Sequence, residues 1–344
     1  MPCRVAYDAD MLAALATAVS AGELGADDRA GLLTDALALC KAGHASMPAA
    51  QLLRLLGAYT GERHATVWSA IAAVLTSVDN ALLGVGAEGT EAREAFAAFA
   101  ARLVAPAAAA VGWESRADDG HLSKLVRMTL VELEARFCSG DPAVQAKARA
   151  LWDAIMAGDK DACPSDIKVA VFKIVAKGGG EAEYGALMAH LARCDNDTDR
   201  KHVYAAMGCF PSTALQMRVL DWALGGSGNI KLQDFFYPIG SVSGSSAAGL
   251  ELTWATFRTR FAEISTMLKK SVSWMMDALI LSSVSGFATA ARADEVEAFF
   301  RANPLPQSAR KISQAVENIR VSAAYCGRLV SSEPPIATVV AGLC

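Results

Sequence analysis

Aromatic residues make up only 7% of the 344 positions, and runs of β-branched residues are scarce. Both are the usual material of strands, so a sheet-built domain has little to draw on. The hydrophobic share of 53% has another source, since about one residue in five is alanine, a strong helix former. Charge of one sign is also missing. The net charge is −4, with lysines and arginines scattered and not gathered into a stripe, so the electrostatic footprint of a nucleic-acid surface is absent. The best candidate for a membrane span, WMMDALILSSVSGFATAA (274–291), is interrupted by Asp277 and three serines. It falls short of an uninterrupted membrane span. The opening MPCRVAYDADML has no apolar core of the signal-peptide kind. These features predict a soluble chain without a nucleic-acid or membrane partner.

Reactive constellations are equally thin. Only five histidines occur, at 44, 64, 121, 190 and 202, and none has another four residues on. A zinc helix of the HExxH type is therefore excluded. The eight cysteines form no CxxC pair and have no histidine at a metal-ligand spacing. Several fall on apolar helix faces, Cys326 among them, where a reduced thiol behaves as a small hydrophobe. That predicts a reducing, cytoplasmic compartment. No GxSxG elbow and no P-loop is present. The glycine-rich GGGEAEYG (178–185) follows a helical segment and reads as a helix end, not a phosphate cradle. The acid pairs Asp27/Asp28 and Asp118/Asp119 stand at helix starts, where a structural role suffices.

What the sequence does have is helical periodicity. Leu122, Leu125, Val126, Leu130, Leu133 and Phe137 follow three–four spacing across 121–137. Asp141-Pro142 then supplies a capping residue and a first-turn proline for the next helix. Helices are predicted over 165–177, 181–193, 198–207, 212–224 and about 307–330. Helix pairs recur about every 30 to 35 residues without a fixed motif, as in HEAT- or armadillo-like arrays. The expectation is an all-α, superhelical array of about sixteen helices, with at most a stub of strand near residues 3–7. The glycine-rich loops 225–228 and 240–249 are expected to mark bends. His121 reads as a polar residue of a first helical turn. Taken residue by residue, this is a binding or scaffolding array and not a complete enzyme; a free-standing peptide-binding or assembly module fits the same pattern.

Four stretches add a resemblance. RVAYD (4–8) followed by ADDRAGLLTDALALCKAG (26–43), GW with HLSKLVR seven residues later and then ARFCSGDPAVQAKARALWD, NIKLQDFFYPIGSVSGSSAAGLELTWATFRTRF (229–261), and EVEAFFRANPLPQSARKISQAVENIRVSAAYCGR (295–328) occur in this order. Together they resemble the C-terminal helical domain of M1-family zinc aminopeptidases, nearest the puromycin-sensitive branch. Ala6 stands where that family usually has asparagine.

The resemblance implies a boundary, with residues 1–8 as the remnant of a preceding β-domain and 9–344 as one helical domain. It implies that the zinc helix and the GxMEN loop belong to a preceding catalytic part, so this chain holds no cofactor or metal and is inactive alone. It implies that the catalytic part is a partner, that peptides contact the concave face, and that an apolar flank left uncovered favours self-association. Family members that capture a peptide carboxylate do so at positions that align with Phe210 and with the segment holding Thr76 and Ser77. None of these three carries the charge that capture needs, so the peptide groove expected there depends on shape.

Overall fold

The computed structural model describes residues 3–225, 230–269 and 271–343. Eighteen α-helices and two short 3-10 segments lie among the described residues, which include no strand. The chain is all-α. The helices are α1 (Ala9–Ser20), α2 (Ala26–Ala42), α3 (Ala49–Gly57), α4 (Ala65–Gly84), α5 (Thr90–Val111) and α6 (His121–Phe137). Next come α7 (Pro142–Ala157), α8 (Lys168–Gly178), α9 (Glu181–Arg193), α10 (Asp197–Met207), α11 (Thr213–Leu224) and α12 (Phe236–Ser243). The last are α13 (Ala247–Thr259), α14 (Phe261–Leu268), α15 (Ser273–Val284), α16 (Ala290–Ala302), α17 (Ala309–Val330) and α18 (Ile336–Ala341).

The expected strand near residues 3–7 does not form. That segment is held to α2 instead, where Asp35 accepts from Arg4 Nη1 at 2.8 Å and from the Val5 amide at 3.2 Å. The Val5 amide, which a strand ladder would use, is spent on this carboxylate. Of the two predicted bends, 240–249 is mostly helical, with 240–243 ending α12, 247–249 starting α13 and only 244–246 forming the tight turn between them. The loop 225–228 lies outside the described residues except for Gly225.

Two compact units divide the chain: Met1–Cys138 with Ala324–Cys344, and Ser139–Ala323. In the first unit α4 is the centre, in contact with α2, α5 and α6. Val67, Trp68, Ile71, Val74, Leu75, Val78 and Leu82 on it have no exposed surface, a spacing that gathers them on one broad stripe of the helix. By length and composition α4, and the stretch Gly86–Val111, would each suffice to cross a membrane. More than half of that part of α4 is buried here, as befits a core helix. One polar group interrupts it. Asp79, 1% exposed, accepts from Arg93 Nε of α5 at 2.7 Å and from Arg136 Nε of α6 at 2.7 Å. A single carboxylate thus pins three helices, and both its oxygens are satisfied.

In the second unit α12 holds the middle position, in contact with α10, α11, α13 and α15. The approach of α10 is very close. A Cβ on Gly208 would lie 2.1 Å from the Val242 amide nitrogen, so no side chain fits there. Ser241 Oγ fills the seam, accepting from the Gly208 amide at 2.9 Å and donating to the Ala205 carbonyl at 2.7 Å. Aromatic packing closes the unit's far end. Trp254 of α13 meets Phe299 and Phe300 of α16 with ring centroids 5.3 and 6.4 Å apart. Its indole donates to Glu295 Oε1 at 2.9 Å.

Removing the central carboxylate is the sharpest test of the first unit. In Asp79→Ala two guanidinium groups lose their partner inside the helix junction. Breaking a buried pair costs about 3–5 kcal/mol. Arg93 and Arg136 retain 37% and 28% side-chain exposure and rehydrate in part, so the expected loss is about 2–3 kcal/mol. Urea unfolding of Asp79→Ala against the parent measures it, and a loss under about 0.5 kcal/mol, the range of ordinary surface exchanges, contradicts the pinning role.

Candidate functional site

The stretches that carry the family resemblance build the fold. Trp113 is buried and donates its indole N–H to Glu134 Oε2 at 2.7 Å, fastening the loop before α6 onto α6. Arg127, almost fully buried, donates to Asp119 from below the same loop. His121 opens α6 and is exposed, as a first-turn residue should be. Asp141 caps α7, accepting from the Ala143 and Val144 amides with Pro142 in the first turn.

The expected groove residues fare differently. Phe210 belongs to the second unit and has no exposed surface. Its ring lies edge-on to Tyr184 at 5.7 Å, and its carbonyl accepts from Gln216 Nε2 at 2.9 Å. Gln216, itself buried, also reaches the Gly208 carbonyl and so fixes the whole turn. Phe210 is a core residue and lines no groove, which corrects the expectation drawn from alignment. A lone phenylalanine beside a proline packs inward because only the core rewards its surface. Thr76 and Ser77 belong to the first unit, on α4, both half-buried. Ser77 sits beside the Tyr325 hydroxyl, whose titration burial pushes upward.

Titratable groups elsewhere are tied into structure. Burial raises the thiols of Cys40, Cys163 and Cys326 to about 11, so none is a thiolate nucleophile at neutral pH. No disulfide joins any two of the seven described cysteines. Around the start of α10, burial pushes Asp199 up, but hydrogen bonds from Lys168 Nζ (2.9 Å) and Asn196 Nδ2 (2.8 Å) hold it below the usual carboxylate range. Nearby His190 packs edge-on to Phe172 at 5.6 Å, with Nε2 buried and unpartnered. Burial first, then the charges of Arg193 and Lys168, lower its pKa. Among the described residues no three His, Cys, Asp or Glu side chains are grouped closely enough for a metal.

Among the described residues, clefts open on the surface of the first unit and of the second. The first-unit clefts run beside Arg328 and beside the Arg29–Glu62 pair. The second-unit cleft, about 400 Å³, is floored by Phe300, Leu305, Ile312 and Val316. Sequence reasoning missed all three, because each joins residues whose meeting depends on helix packing. Only the amphipathic stripe of α17 hinted at the last.

Two measurements follow from these positions. Phe210→Arg buries a guanidinium without a partner and is expected to cost about 4 kcal/mol or more, whereas Phe210→Leu costs about 1–2 kcal/mol. If denaturant unfolding finds the arginine variant as stable as the parent, Phe210 is not the core residue described. For His190 the sign is fixed by its lowered pKa. The unfolded chain takes up a proton near 6.5 while the folded ring resists it. Stability is therefore complete above about pH 6.5 and falls as pH drops through that value. The melting temperature of His190→Leu should decline less between pH 7.5 and 5.5 than that of the parent; equal declines would exclude the ring as the cause.

Comparison with known proteins completes the site. The chain is 26% identical over 328 residues to Aminopeptidase M1-A of Oryza sativa subsp. japonica, covering 94% of this chain and 35% of that protein. Against Aminopeptidase M1 of Arabidopsis thaliana it is 27% identical over 325 residues, 93% of this chain and 35% of the relative. Against Aminopeptidase 2, mitochondrial, of Saccharomyces cerevisiae it is 24% identical over 306 residues, 89% and 31%. The chain spans about a third of the length of these curated relatives. The family model of the ERAP1-like C-terminal domain matches residues 2–321. An all-helical chain, with signature residues that fasten loops to helices and no grouped metal ligands among the described residues, belongs to the ERAP1-like C-terminal domain family, the C-terminal part of M1 aminopeptidases.

Proposed function

We propose that this chain is the non-catalytic helical part of a zinc aminopeptidase of the puromycin-sensitive kind, capping the cleft in which a preceding catalytic part releases N-terminal residues from peptides. The observation that carries the reading is the family match across residues 2–321 in a chain that spans a third of relatives named aminopeptidases. The catalytic part is then its partner within one polypeptide, and the zinc belongs there. Peptides meet this part through their distal residues, on a concave helical face, by shape and scattered polar contacts. A wide, many-helix surface suits weak contact with many sequences. Closing it over a cleft excludes water and bulky folded proteins from the chemistry. A cytoplasmic location belongs to the same proposal.

The proposal is tested by adding this chain to a separately produced catalytic part. Alone, the chain is expected to release no amino acid from aminoacyl amides or peptides. In the mixture, turnover of peptides of about ten residues should change several-fold, while that of a single aminoacyl amide, too short to reach the cap, should change little. Absence of any association between the two parts, or an equal effect on both substrates, would overturn the capping role.

A further inference from the structure

In the first unit a cavity of about 270 Å³ opens between the turn after α2 and the last residues of α17 with the segment that follows. Its wall includes Gly43, His44, Met47, Arg328, Leu329 and Glu333. Arg328 is held in a particular way. Its Nη2 donates to the Lys41 carbonyl at 2.6 Å, and its guanidinium lies against Gly43. Gly43 has φ of +74° and closes α2 in the left-handed region. A Cβ there would come within 3.0 Å of Arg328 Cζ, so the positive φ favours glycine and its bare Cα lets the guanidinium lie close.

A carbonyl orients this guanidinium, but no carboxylate neutralises it. Among the described residues neither Arg328 nor Lys41 has an acidic side chain within 4.0 Å, whereas Arg29, Arg93, Arg127 and Arg136 of the same unit are all ion-paired. The positive charge on the wall is increased by α3, which starts at Pro48 and Ala49 with no capping side chain and no acid in its first turn. Glu333 is the one carboxylate on the lining. Met47 and Leu329, both buried, form an apolar floor.

We propose that this cavity binds a small aliphatic α-amino acid, its carboxylate on Arg328, its ammonium against Glu333 and its side chain on Met47 and Leu329. A fixed, unpaired guanidinium offers a two-point seat for a carboxylate. Glu333 selects against a phosphate dianion and in favour of a zwitterion, and the apolar floor rewards an aliphatic chain. The volume corresponds to about nine waters, room enough for a leucine-sized molecule. Such a ligand bridges the 43–48 turn to α17 and stabilises the folded unit by linkage. The inference stands apart from the capping role proposed above.

Calorimetry and thermal unfolding of the whole chain with L-leucine test it, with N-acetyl-leucine, leucinamide and inorganic phosphate as comparisons. Leucine is expected to bind and to raise the melting temperature. N-acetyl-leucine and leucinamide, each lacking one charge, should bind about tenfold or more weakly. Arg328→Gln should weaken leucine by a similar factor. Glu333→Gln, an exchange at an exposed residue that keeps the fold testable, should weaken leucine and leave N-acetyl-leucine unchanged. No binding of leucine at millimolar concentration overturns the proposal. So does phosphate binding as tightly as leucine, or tighter binding of an N-blocked peptide acid than of leucine, which would mark a site for peptide ends.

Discussion

Asp79 carries a carboxylate into the middle of a helix that is otherwise among the driest in the molecule, and that charge limits what can surround it. An isolated carboxylate in such a place would take up a proton or pull the helix towards water. Arg93 and Arg136 prevent both, each placing a nitrogen 2.7 Å from one of its oxygens. The consequence is geometric. The helix bearing Arg93 and the helix bearing Arg136 have to present one particular turn each to α4, so register is set by a polar contact while burial of the valines and leucines of α4 supplies the driving force. Apolar packing alone tolerates sliding between alanine-rich helices, because one methyl group resembles the next.

The second unit solves the same problem of register with shape. Gly208 lets α10 come within backbone contact of α12, and Ser241 meets the two main-chain groups exposed there. At the other end Trp254 is oriented by its bond to Glu295 and enclosed by Phe257, Phe299 and Phe300. A chain with few aromatics has gathered several of them into one place, where each ring's large surface counts. Glu295 itself is drawn upward by burial but held low by the indole and by Arg292 and Arg258, so the charge that orients the tryptophan persists at neutral pH.

Much of this was legible in the residues. The three–four spacing over 121–137 and the breaks around 181–193 mark helices that the structure places at those very residues, because local periodicity and capping chemistry are short-range. The Asp141-Pro142 start was readable for the same reason. The strand suggested by RVAYD was not to be had, since a strand exists only with a partner and this one meets a helix. Phe210 shows the limit of alignment. The resemblance implied a groove residue there, yet a buried aromatic occupies the position, and whether a position faces a cavity depends on neighbours that spacing does not reveal. The Arg328 cavity joins residues at opposite ends of the numbering, which no local pattern could bring together.

The absence of grouped reactive side chains among the described residues then has a constructive side. A catalytic centre needs buried polar groups held in strained or desolvated positions, and these cost stability. Here buried charges join one helix to another, as with Asp79 and Lys168, or fasten a loop to a helix, as with Glu62, Arg127 and Glu134. Such a chain is free to be firm inside and varied outside. With that division, surface residues can be exchanged without disturbing the polar fastenings that set the helices in register.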